Sequence, residues 1–294
     1  YLVDTMSAVP LWNATLDLYL WPDTAETAVR LALSLSSRTR SFRGTPWFVA
    51  DTAVRRFLVA LTMGNRGHLV EAVKLGRISR PDGWLNPFID LALMGAIPAE
   101  TAATTFKRLL AQGDFWPPRF GQGVALPWWS ARRDTASLER FGQRAEVAAR
   151  VTSNPVARSY ARYLGNAAQA YLALARSDSA TALRRLVALP DSACLVNHCF
   201  FEKFTQAQLY VAQGRDQEGG KVLDQWLHTR DHSLLFIVGT LQRGRIAERL
   251  GDSERAMRSY QYVANVWRHA DPELQAYVSE AVGGLARLSG ENKR

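Results

Sequence analysis

Residues 240–272 read TLQRGRIAERLGDSERAMRSYQYVANVWRHADP. Apolar residues recur at helical spacing on both sides of Leu250-Gly251-Asp252, a tight turn signal. Gly244, Ala247 and Ala256 are small where two helices must touch, Tyr260 follows Ala256 by four, and Pro272 closes the stretch. That is the layout of one helix–turn–helix unit in a solenoid, a fold in which each unit buries its apolar face only against its neighbours.

Two earlier units share its register. Turns at Ser177-Asp178, Gly214-Arg215 and Gly251-Asp252 follow one another at intervals of 37 and 37 residues. Ala170, Ala207 and Gly244 each lie seven residues before the turn, and Ala182, Gly219 and Ala256 five after it. The repeated small residues mark where helix backbones approach. Glu273 to Leu288 is expected to be a final capping helix. Toward the N-terminus the pattern loosens. Hairpins are expected over 11–36, over 47–75 with a turn at Gly64-Asn65-Arg66-Gly67, and over 82–112 with a turn near Gly95. Residues 113–134, GDFWPPRFGQGVALPWWSARRD, hold prolines and glycines that no continuous helix accommodates, so the repeats are expected to lapse there. The chain thus divides into degenerate helical repeats (1–112), a Pro/Trp-rich interrupting loop (113–134), and regular repeats with their cap (135–294).

The last three units resemble tetratricopeptide repeats. Gly244, Ala256, Tyr260 and Pro272 in the final unit, and Ala207, Tyr210 and Gly219 in the middle one, match that family's small, aromatic and proline positions. Ala247 and Leu223 stand where the family carries aromatics. The resemblance covers about 154–288 and implies an all-α, right-handed superhelical solenoid with a concave groove for a protein or peptide partner. Residues 248–288 also resemble the end of helical-repeat sensor regions in bacterial serine/threonine kinases and transcriptional regulators. That likeness implies a sensor or scaffold part of a larger signalling protein. The chain opens on Tyr1 rather than Met, which fits an excised or processed piece.

Hydrophobic residues make up 47% of the chain, which excludes wholesale disorder. No apolar run approaches the ~18 residues that span a bilayer. The net charge of +9 comes from scattered basic residues rather than a long block. It leaves association with nucleic acid or an anionic membrane surface as an alternative function.

No kinase signature, phosphate-binding loop or serine-nucleophile elbow occurs in the sequence, so a non-catalytic role with no cofactor is expected. Two features remain as candidates. Trp116, Arg119, Phe120, Trp128, Trp129, Arg132 and Arg133 crowd together, and aromatics with arginine are the residue types of binding hot spots. They form either a recognition surface or a plug over the joint between two halves. Cys194 and Cys199 bracket CLVNHC. They could form a disulfide, which would suit a periplasmic location; they could bind zinc with His198, although a structural site needs a fourth ligand; or they could be two reduced thiols packed under a loop.

Overall fold

The computed structural model describes residues 63–76, 85–111, 123, 125–191, 199–226 and 234–291. Among them every regular element is helical, as the sequence leads one to expect: α1 Leu69–Gly76, α2 Leu85–Leu93, α3 Ala99–Ala111, α4 Ala125–Ala131, α5 Thr135–Val151, α6 Pro155–Ala175, α7 Ser179–Val187, α8 Phe200–Ala212, α9 Asp216–Trp226, α10 Leu234–Arg249, α11 Ser253–Val266, a 3-10 turn Pro272–Leu274, and α12 Gln275–Glu291. The hairpin expected over 11–36 lies outside the described residues.

One turn, used six times among the described residues, sets the helix pairing. At each, a residue with positive φ donates its N–H three residues back, and the next residue donates five back. The pairs are Gly67 to Gly64 and His68 to Met63; Gly95 to Ala92 and Ala96 to Leu91; Arg133 to Ser130 and Asp134 to Trp129. Ser177 to Leu174 and Asp178 to Ala173, Gly214 to Val211 and Arg215 to Tyr210, and Gly251 to Glu248 and Asp252 to Ala247 complete the set. Left-handed backbone lets the last carbonyls of a helix be satisfied within the turn itself. At three of the six the next residue also starts the following helix. The carboxylates of Asp134, Asp178 and Asp252 accept the N–H groups of Ser137, Thr181 and Arg255 at 3.0, 2.9 and 3.1 Å.

The turn at Arg133 corrects the sequence-based boundary of the interruption. Residues 125–134, expected to belong to a loop, form α4 and a turn of the repeat type that leads into α5. Pro127 is accommodated because it sits in the first turn of α4, where the helix makes no use of the proline's missing N–H.

Helices adjacent in sequence pack on each other from α4 through α12. The repeated small residues sit at the closest approaches. Ala170, Ala207, Ala182 and Ala256 are buried, and a Cβ added to Gly244 would lie 2.8 Å from the Tyr260 ring. A Cβ on Gly284 of α12 would lie 2.4 Å from the other edge of that ring. Tyr260 is therefore gripped between two glycines of flanking helices. Its hydroxyl donates to Glu248 at 2.6 Å, and Arg287 donates to both oxygens of the same carboxylate.

The N-terminal helices fold back on this array. α4 packs on α6 and α2 on α10. The turn at Gly67 docks on the segment between α11 and α12: Trp267 Nε1 donates to the Asn65 carbonyl at 2.8 Å, Asp271 N–H to the Gly67 carbonyl at 2.9 Å, and Val70 N–H to the Asp271 carboxylate at 3.1 Å. Trp267 is fully buried there. The first two turns of α8 are enclosed. Residues 199–207 are buried one after another, including Glu202, Lys203, Thr205 and Gln206.

The Tyr260 grip is tested on neighbouring glycines of α12. Gly284→Ala forces the ring to move and should cost about 1–3 kcal/mol. Gly283→Ala places its Cβ in ordinary contact, 3.7 Å from Arg287, and should gain about 0.5–1 kcal/mol from helix propensity. Urea unfolding of both variants decides the matter, and equal effects would contradict the close-packed seam.

Candidate functional site

Of the aromatic and basic residues singled out from sequence, Trp116, Arg119 and Phe120 lie outside the described residues. Trp128 and Trp129 are buried on α4. Their rings lie 5.1 and 6.4 Å from that of Phe106, and Trp129 lies 6.0 Å from Phe141. Trp129 thus links α3, α4 and α5, Trp128 links α3 and α4, and neither indole is exposed. Arg132 and Arg133 are exposed, and the Arg132 guanidinium covers the Trp128 ring at 5.4 Å. Cys199, buried just before α8, is disulfide-bonded, and the chain contains one other cysteine, Cys194. Cys194 and His198 themselves lie outside the described residues. Among the described residues no group of three His, Cys, Asp or Glu side chains could hold a metal ion.

Two sites that sequence reading did not single out stand out by their geometry. The first is inside. α8 begins FFEKFTQ, and its position at the centre of the fold buries the polar residues with the aromatic ones. Lys203 resolves its charge by pairing with Asp191 at 2.6 Å and lying 5.3 Å over the Trp226 ring. Glu202 has no such partner. Its Oε2, the Gln206 Oε1 one turn on and the Tyr163 hydroxyl are buried without a hydrogen bond. Tyr163 lies close enough to influence the carboxyl without bonding to it in good geometry. Burial pushes the Glu202 carboxyl up to about 7, opposed by its own backbone N–H, the Tyr163 hydroxyl and the Lys203 charge. Burial first, and then the Glu202 charge, also raises Tyr160, Tyr163 and Tyr171 above the ordinary tyrosine range. Tyr171 is held by a 3.2 Å hydrogen bond between its hydroxyl and that of Thr205. Glu202 is thus a carboxyl that changes charge near neutral pH in the middle of the protein.

The second site is on the surface, a groove of about 660 Å³ between α5 and α6. Its floor is tight because Ala149 and Gly165 are small and buried, so the helices meet closely beneath it. Arg158, Arg162 and Asn166, four residues apart on one stripe of α6, face Glu146 and Arg150 of α5. Glu146 and Arg150 pair loosely at 3.8 Å. Arg158 is steadied by donating to the Thr152 carbonyl at 3.0 Å. The arrangement presents guanidinium groups above an uncharged floor and suits an oxyanion.

The Glu202 carboxyl carries a pH prediction. Its pKa in the folded chain, about 7, lies above the ordinary 4.5, so folding favours the protonated form. The corresponding stability is complete below pH ~4.5 and is lost as the pH rises through about 7, a loss on the order of 3 kcal/mol at most. Glu202→Gln should remove this part of the pH dependence and leave the variant more stable than the wild type at pH 8. Denaturant unfolding between pH 5 and 8 measures the difference, and parallel curves for the two proteins would show that Glu202 stays charged.

Comparison with known proteins finds no matching family model, no similar curated protein and no similar solved structure.

Proposed function

We propose that this chain is a non-catalytic binding module: a helical-repeat scaffold or ligand sensor, tetratricopeptide-like in its C-terminal units and part of a larger bacterial signalling protein. The observation that carries the reading is the repeated turn. Six hairpin turns of one geometry, three of them with small residues at the seams, build a stack whose exposed helix faces are free to vary. Such stacks commonly serve as binding surfaces rather than reaction chambers. The right-handed superhelical sense belongs to this reading, as does a protein or peptide partner. The partner surface is an outer one, since the first two turns of the inner helix α8 are enclosed. A disulfide at Cys199 is consistent with an oxidising compartment such as the periplasm.

The alternative, association with nucleic acid or an anionic membrane through the net charge, draws less support. Many arginines face carboxylates on neighbouring helices: Arg176 with Glu139, Arg249 with Asp216, Arg255 with Asp224, and Arg287 with Glu248. Among the described residues no helix is long and apolar enough to cross a membrane.

The immobilised chain should retain a defined set of proteins from a bacterial extract, and cross-linking mass spectrometry should map them to a consistent face. Retention should fall with Gly284→Ala in proportion to the loss of folded chain. Turnover of a small-molecule substrate by the purified chain, with no protein retained, would overturn the reading.

A further inference from the structure

Polar side chains converge between α6 and α8 inside the fold. Glu202 and Gln206 lie one turn apart on α8 and so share a face. Thr205, next to Gln206, bonds the Tyr171 hydroxyl, which turns that face toward α6. Tyr163, on the same helix as Tyr171, brings its hydroxyl to the Glu202 carboxyl. Glu202, Gln206 and Tyr163 are exposed by only 3%, 7% and 2%. Yet Glu202 Oε2, Gln206 Oε1 and the Tyr163 hydroxyl have no hydrogen bond in good geometry among the described residues. Unpaired polar atoms are costly in a protein interior, and nearly all of them are paired in native folds.

The three atoms do not satisfy one another. An ionised Glu202 and the Gln206 carbonyl both accept, and the Tyr163 hydroxyl has a single proton to give. The set calls for a group that donates twice and accepts once. We propose that Glu202, Gln206 and Tyr163 form a binding site for one internal water molecule, which joins α6 to α8. The water donates to Glu202 and Gln206 and accepts from Tyr163. Internal waters typically make about three hydrogen bonds to otherwise unpaired groups, the number on offer here. Phe200, Phe201 and Phe204, buried on the same two turns of α8, supply no side-chain polar group that could take its place.

The same molecule serves both charge states of the carboxyl. When Glu202 is protonated it donates to the water, which then accepts from Glu202 and Tyr163 and donates to Gln206. Both states matter, because the carboxyl titrates at about 7. A potassium or ammonium ion cannot accept the proton that a neutral carboxyl presents. The Lys203 charge, which acts on Glu202, also opposes a second cation there. The site is internal, so the inference goes beyond the binding-module reading and does not depend on it.

A crystal structure of the full chain tests the proposal. One density peak should lie at about 2.6–3.2 Å from all three oxygens. It should be present in crystals held below and above neutral pH alike. Direct bonds among the three side chains, with no peak between them, would overturn the proposal. Crystals soaked in rubidium chloride separate water from a monovalent cation: an anomalous signal at the site would mean a cation and also overturn it. Glu202→Gln offers the same acceptor geometry and should keep the peak. Glu202→Met combined with Gln206→Met leaves one polar partner and should abolish it; a peak that survives there would mean that the water is held by other groups, against the proposal. Should the double variant fail to fold, the wild-type structure and the rubidium soak decide by themselves.

Discussion

The ring of Tyr260, held edge to edge between Gly244 and Gly284, is the contact on which the regular part of the structure depends. A side chain at either glycine would overlap the ring, so three consecutive helices can approach only because two of them offer bare backbone. The ring sets the spacing of α10, α11 and α12, and its hydroxyl orients Glu248, which in turn holds Arg287. Packing and electrostatics are thereby linked at one residue. Small residues recur at the equivalent crossings of the two earlier units, Ala170 with Ala182 and Ala207 with Gly219, where leucine (Leu186, Leu223) takes the place of the ring.

Glutamates show how position in such a stack decides chemistry. Glu248 sits at a rim, and the Arg287 guanidinium holds its carboxyl below the usual range. Glu202 sits on the one helix that is enclosed throughout its first two turns, and its carboxyl is pushed the other way. Neither behaviour follows from the residue type. Both follow from whether another helix lies across the face that carries it.

The C-terminal units were legible in the sequence because glycine, or the Ser-Asp pair at 177–178, marks each turn at a constant interval. The turn at Arg133 was hidden for two physical reasons. An arginine occupies the left-handed position, at a conformational cost of about 1 kcal/mol that glycine would avoid. Leu126 and Leu138 stand where the other units carry small residues, so the hairpin of α4 and α5 keeps the turn without the close seam. The docking of Asn65 and Gly67 on Trp267–Leu274 was not legible, since no local pattern reports a contact across some 200 residues of sequence. Glu202 was missed because a glutamate in a helix is normally read as solvated; its clue was the run of phenylalanines on every side of it. The α5–α6 groove was in principle readable. Arg158 and Arg162 are four apart and share a face, whereas arginines adjacent in sequence, such as Arg132 and Arg133, point apart.

The contact between the Gly67 turn and the segment after α11 bears on how the molecule comes apart. A linear stack held only by nearest neighbours can fray from either end, one hairpin at a time, with each loss nearly independent of the rest. Here the N-terminal turn is bonded to the far side of the array, so releasing the last helices also strips cover from Asn65 and Gly67. Local stability is thereby made global, and opening of the described core is biased toward a single cooperative event. The same contact raises the mean sequence separation of native neighbours above that of a simple hairpin array, which slows the search for the folded state. The closure thus trades speed of folding for resistance to piecemeal unravelling.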